Sequence, residues 1–167
     1  MTLFQRRDSY NYLKGRPDVV KYIRKLTYKV GRSGSISVYS SFRDDRRLSP
    51  ILPNFLRTFS RLNCLEITAS DLDWNFLDSS LRSLTSAFLH LMHLPTINHI
   101  GLPHMENFPL SSLTPSVKLH RLDLSHVHPL EEDASPETVQ LEMVPNIHEF
   151  HTTESPLLTT TLLHSTY

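Results

Sequence analysis

Apolar residues recur along this chain at one six-residue spacing: apolar, two variable, apolar, one variable, apolar. Leu62-Asn63-Cys64-Leu65-Glu66-Ile67 is the reference copy. The pattern returns at Ile97-Asn98-His99-Ile100-Gly101-Leu102 and at Leu119-His120-Arg121-Leu122-Asp123-Leu124. A fainter copy precedes them at Ile23-Arg24-Lys25-Leu26-Thr27-Tyr28. A degraded one follows at Ile147-His148-Glu149-Phe150-His151-Thr152, with Thr152 at the third apolar position. The later positions alternate as strand side chains do, so each copy predicts a short strand with apolar residues inward and variable residues outward. No single copy can bury its own apolar face, whereas stacked copies share one core. The expected fold is α/β: an irregular leucine-rich-repeat-like solenoid with a short parallel sheet and helices or loops on the convex side. Copies start at residues 23, 62, 97, 119 and 147, spacings of 39, 35, 22 and 28. The last two fit the usual ~20–29 residues, and the first two leave room for extra helix or loop.

The intervening segments carry their own signals. Residues 3–14 predict a short helix with Leu3, Tyr10 and Leu13 inward, ended by Gly15 and Pro17. Residues 19–30 are rich in β-branched and aromatic side chains and predict extended chain. Residues 31–49 hold two glycines, six serines and Arg43-Asp44-Asp45-Arg46-Arg47, the composition of a mobile surface loop. Residues 52–59 predict a short helix through Leu52, Phe55, Leu56 and Phe59. Residues 69–75 form an expected loop carrying Trp74, either as a lid over the core or as an exposed anchor. The longest helix is expected over residues 78–94, capped by Asp78 or Ser79, with Leu81, Leu84, Phe88 and Leu91 on one face and Pro95 as its stop. Residues 105–116, broken by Pro109 and Pro115, predict irregular chain. Residues 131–133 with Pro136 predict an acidic loop, and residues 153–167 a weakly ordered tail.

At 167 residues the chain suits one domain, residues 1–167, with enough length for a sizeable core. A lone cysteine, Cys64, excludes an internal disulfide framework and fits a reducing compartment. No apolar run approaches the ~20 residues of a membrane helix, and Arg6, Arg7 and Asp8 interrupt the N-terminus where a signal peptide is apolar. The expected location is the cytoplasm or nucleus, with no membrane partner. The zero net charge hides an asymmetry. Residues 1–50 carry twelve Lys/Arg against four Asp/Glu, and residues 51–167 carry five against thirteen. In a solenoid, sequence order becomes spatial order, so one end is basic and the other acidic. Such a field steers an acidic partner or simply keeps the two ends solvated. The basic half lacks the aromatic–basic clusters of nucleic-acid modules, so nucleic acid is not the expected partner.

The register also predicts a surface. The first outward column is Lys25, Cys64, His99, Arg121 and Glu149. The second is Thr27, Glu66, Gly101, Asp123 and His151. The third is Lys29, Thr68, Pro103, Ser125 and Thr153. Neighbours within a column are expected about 4.8 Å apart. Lys25, Glu66, His99, Arg121, Asp123, Glu149 and His151 are the candidate binding residues of this concave face. Ten histidines raise a metal or enzymatic alternative. His90 and His93 share a helix face, His126 and His128 are two apart, and Cys64, His99, Asp123 and His151 fall in adjacent columns. None has the spacing of HExxH or paired CxxC. A GxSxG elbow, a cysteine-protease signature and a phosphate loop are also missing. No catalytic residue, metal or cofactor is therefore expected.

Tyr22-Ile23-Arg24-Lys25-Leu26-Thr27-Tyr28, Leu52-Pro53-Asn54-Phe55-Leu56, Arg61-Leu62-Asn63-Cys64-Leu65-Glu66-Ile67, Leu94-Pro95-Thr96-Ile97 and Leu119-His120-Arg121-Leu122-Asp123-Leu124 resemble one family in their order and connecting phrases. It is the F-box-like, leucine-rich-repeat-like proteins abundant in mushroom-forming fungi. The resemblance covers roughly residues 10–155. In that family the F-box docks on the adaptor of a cullin-type ubiquitin ligase and the repeats hold the substrate. A segment of F-box length does not fit before Tyr22, so the resemblance implies the repeat region alone. The expected function is a protein–protein interaction module, the substrate-recognition part of such a ligase subunit without its F-box. The alternative is a truncated or diverged family member with no independent activity. A histidine-based metal-binding or enzymatic protein comes third.

Overall fold

The computed structural model describes residues 2–4, 13, 15–30, 51–69, 72–75, 82–113, 115–116, 118–125, 128–129 and 147–151. Its elements run in the order β1 (Thr2–Phe4), α1 (Pro17–Val20), β2 (Lys25–Val30), α2 (Leu52–Leu56), β3 (Cys64–Ala69), β4 (Leu72–Asp73) and α3 (Arg82–Met92). Then follow β5 (His99–Gly101), β6 (Met105–Phe108), a 3-10 turn (Leu110–Leu113), β7 (Arg121–Asp123), β8 (His128–Pro129) and β9 (Glu149–His151). The fold is mixed α/β. The larger sheet is open and parallel, in the order β1-β2-β3-β5-β7-β9, and a second parallel sheet runs β4-β6-β8.

The repeated spacing has a repeated backbone counterpart. The carbonyl of Arg24, one residue before β2, accepts the N–H groups of both Asn63 and Cys64, at 2.7 and 3.0 Å. Asn63 does the same for Asn98 and His99, Asn98 for His120 and Arg121, and His120 for His148 and Glu149. Each acceptor follows the first apolar residue of its copy. Both strand entries are thus aligned before the ladder proper begins, and two N–H groups share each of these carbonyls.

The apolar positions turn inward as their spacing predicts. Leu26, Tyr28, Leu62, Leu65, Ile67, Ile97, Ile100, Leu102, Leu119, Leu122 and Leu124 are all buried. Ile23, Ile147 and Phe150 lie partly buried against the same core. Helix α3 covers this face. Leu84, Phe88 and Leu91 recur at helical spacing and are buried with Ala87 and Met92, and Phe88 meets Tyr28 of β2 edge to face at 5.2 Å. The Ser116 hydroxyl donates to the Met92 carbonyl, satisfying a helix-end acceptor inside the core. Arg57 joins α2 to α3 by donating to Ser86 Oγ at 2.9 Å.

Several local expectations need correction. Thr2–Phe4 is a strand paired with β2, not the start of a helix, because parallel pairing outweighs the weak periodicity of that segment. Leu13 is helical and buried and Gly15 is a turn, so the expected helix end stands there, while Pro17 opens α1. Its fixed φ and missing N–H suit a first helical position, which places Val19 and Val20 in helix and delays the strand to Lys25. The two segments taken as loop and irregular chain contain β4, β6 and the 3-10 turn. Strands of two to four residues are too short to show a period. Of the two readings of Trp74 the lid over the core stands: it is buried and packs edge to face on Phe108 at 5.0 Å. Asn107 has φ 52° at the irregularity of β6, and its amide donates to Asp73 Oδ1 at 3.1 Å. The expected loop 31–49, the caps Asp78 and Ser79, the acidic loop 131–133 and the tail 153–167 lie outside the described residues.

Two substitutions separate side-chain packing from the backbone ladder. Leu65→Ala, at a fully buried position, is expected to cost about 2–5 kcal/mol in urea unfolding. Asn63→Ala, two residues away and exposed, keeps the ladder carbonyl and should change stability by no more than about 0.5 kcal/mol.

Candidate functional site

Opposite the apolar face, the larger sheet carries polar side chains in rows. Lys25, Cys64, His99, Arg121 and Glu149 stand in register across β2, β3, β5, β7 and β9. Thr27, Glu66, Gly101, Asp123 and His151 form the next row. All seven residues expected on a binding face fall in these rows, so the strand register read from the sequence is the register of the fold. Lys29 and Thr68 pair in the third row, where Thr153 lies outside the described residues. Lys25, Glu149 and His151 are exposed, and Cys64, Glu66, His99, Arg121 and Asp123 half-buried. Thr27 and Gly101 are buried.

Cross-strand pairs organise the face. Lys25 Nζ donates to Glu66 Oε1, and Thr27 Oγ1 donates to Glu66 Oε2 at 3.0 Å. Arg121 Nη1 donates to Glu149 Oε2 at 3.3 Å, and Ser125 Oγ to Asp123 Oδ1 at 2.9 Å. Gly101 makes the arrangement possible. A Cβ there would stand 3.3 Å from Glu66 Cγ and 3.9 Å from Asp123 Cβ, so any side chain would press on Glu66. The Glu66 side chain lies over Gly101, with Asp123 on its other side.

Beside Gly101, Cys64 Sγ lies 3.2 Å from His99 Nδ1 and 3.9 Å from Glu66 Oε1. Cys64 and Glu66 are two apart on β3 and so share a face, and His99 is Cys64's register partner on β5. Burial pushes the Cys64 thiol up, and the neighbouring Glu66 charge adds to that. Burial likewise pushes the His99 imidazole down, helped by the Arg121 charge. Thiol and ring therefore both rest neutral, the opposite of the thiolate–imidazolium pair that a cysteine nucleophile uses. Burial acts to raise Glu66, but the hydrogen bonds from Lys25 and Thr27 outweigh it and hold the carboxyl below its usual range. The Glu66 hydrogen bond raises Lys25 in turn. Lys25 is half exposed, so the pair is a surface ion pair of about 0–1 kcal/mol.

The grouping of Cys64, His99, Asp123 and His151 is corrected. His151 is on β9, two strands from β5, and it is Glu66 that joins Cys64 and His99. The period of two within β3 was the signal that pointed to Glu66. His93 Nε2 lies 2.7 Å from the Ser112 carbonyl and His90 is exposed, so this pair serves packing at the end of α3 rather than chelation. His126 lies outside the described residues. His120 and His148 are exposed and stack on each other at 5.4 Å between ring centres. Among the described residues, no helix is long and apolar enough to cross a membrane. No known family, curated protein or solved structure matches the chain.

The lowered His99 value has a definite pH consequence. Between its folded value and the ordinary 6.5, the unfolded chain binds more protons, so stability rises with pH there. This contribution is complete above 6.5 and is lost as pH falls through the folded value. Urea midpoints taken between about pH 7.5 and about pH 5.5 should therefore fall more steeply for the wild type than for His99→Gln. Parallel curves would show that the ring is not held neutral by its surroundings. The Glu66 contribution is lost separately, at pH values below 4.5.

Proposed function

We propose that this chain is a protein-interaction module of the leucine-rich-repeat type, and that the polar face of its larger sheet is the docking surface. The observation that carries this reading is the alignment of the two polar rows over five strands. Parallel strands at about 4.8 Å spacing present side chains on a fixed lattice, at no ordering cost on binding. The rows hold charges of both signs, with the Glu66 and Asp123 carboxylates on the strands to either side of Gly101. A partner segment that lays a basic side chain or backbone N–H groups against those carboxylates would be recognised by charge and shape together.

In this reading the successive strands are the coils of an irregular solenoid, each burying its apolar residues against its neighbours. The resemblance to the fungal F-box-like family gives the module a place. It would hold the substrate of a cullin-type ubiquitin ligase, with the adaptor contacted through an F-box supplied elsewhere. It makes the chain a recognition subunit and not an enzyme.

The test is capture from a source-cell extract by the purified chain, alongside Asp123→Arg and the Glu66→Arg, Asp123→Arg double variant. A defined partner held by the wild type and weakened at least about tenfold by both variants, with unchanged circular dichroism, supports the docking face. Recovery of a ligase adaptor with that partner supports the ligase role. Capture of chaperones alone, or of a partner indifferent to both variants, overturns it.

A further inference from the structure

We propose that Cys64, Glu66 and His99 form a zinc-binding site on the polar face, with a fourth position open to solvent or to a ligand brought by a partner. The inference is independent of the docking function.

The geometry comes first. One ligand atom from each residue lies within 4.8 Å of the other two, and among the described residues this is the one such group. With Zn–S near 2.3 Å and Zn–N near 2.0 Å, tetrahedral ligand pairs stand about 3.3–3.6 Å apart. The observed 3.2 Å between Sγ and Nδ1 and 3.9 Å between Sγ and Oε1 differ from that by a few tenths of an ångström. The third edge, between the His99 and Glu66 ligand atoms, is no longer than 4.8 Å. The three residues also sit on paired strands, not on loops, so the backbone holds them at fixed separation.

The donor set then selects the ion. A thiolate and an imidazole favour zinc over magnesium or calcium, which take oxygen ligands. Three protein ligands with an open position is the arrangement of zinc sites that keep an exchangeable ligand. On binding, the Cys64 S–H bond breaks, an S–Zn bond forms and the proton passes to water, with no change of oxidation state.

Two features oppose the ion and set its strength. Lys25 occupies Glu66 Oε1, and Lys25 and Arg121 both place positive charge near the cluster. Lys25 is half exposed and can turn into solvent at the small cost of a surface ion pair. Thr27 stays on Oε2 and holds the carboxylate in orientation, as outer-shell partners of metal ligands do. The site is thus weaker than a closed structural zinc site, and removing Lys25 should strengthen it.

Cobalt(II) is the probe, titrated into the metal-stripped full chain at low protein concentration and then displaced by zinc. The expected result is one cobalt per chain, with a thiolate-to-cobalt charge-transfer band and intense four-coordinate d–d bands that zinc abolishes. Cys64→Ser should remove the charge-transfer band. His99→Gln and Glu66→Gln should each weaken binding by at least about tenfold, since losing a ligand costs no less than losing an outer-shell partner. Lys25→Met should tighten it about threefold, the share of the competing ion pair. A gain of affinity cannot arise from misfolding, and circular dichroism of each metal-free variant guards the losses. His90→Gln, on the exposed side of α3, should change nothing. A wild type without the charge-transfer band overturns the proposal. So does binding unaffected by His99→Gln and Glu66→Gln, or one cobalt shared between two chains.

Discussion

One peptide carbonyl before each strand governs the rest of this structure. By accepting two N–H groups from the entry of the next strand, Arg24, Asn63, Asn98 and His120 each lock one register. A slip of a single residue would turn Leu65 or Ile100 to the polar side and Cys64 or His99 into the core. Apolar burial drives the strands and helices together, but it is non-directional and does not by itself choose which residue lies opposite which. The carbonyl does, and the side-chain rows follow from it.

The polar face shows what that alignment does to chemistry. Cys64 and His99 come within contact distance although 35 residues separate them, and Glu66 reaches them because it is two residues from Cys64. Their half-buried setting keeps both groups neutral while the Glu66 carboxylate stays charged through Lys25 and Thr27. The same spot therefore combines a soft ligand, a neutral imidazole and an anion without acquiring a reactive thiolate. Gly101 is the silent participant, since the room it leaves is where Glu66 lies.

Much of this was legible in the chain. The six-residue spacing located β2, β3, β5, β7 and β9 and aligned their outward residues, because burial enforces a period of two once one face is covered. The ends of elements were harder. Pro17 reads as a stop or as a first helical residue, and only the packing of Val20 decides. β4 and β8, at two residues each, carry no period at all; they exist because the larger sheet has already brought their backbones side by side. The Cys64–Glu66–His99 grouping was half visible. Cys64 and His99 share a column, but Glu66 belongs to the next row, and only its longer side chain, lying beside Gly101, brings its carboxylate to them.

Strand order in the larger sheet follows chain order without exception, from β1 to β9. Seen from the ribosome, each strand of that sheet emerges to find the strand it pairs with already made. No early strand has to wait, with an unpaired edge, for a distant piece of chain. The stretches closed at each step are a few tens of residues, a modest entropy cost. Assembly can therefore keep pace with synthesis, one strand at a time, and besides the outer edge of β1 the edge exposed at any moment is only the newest one.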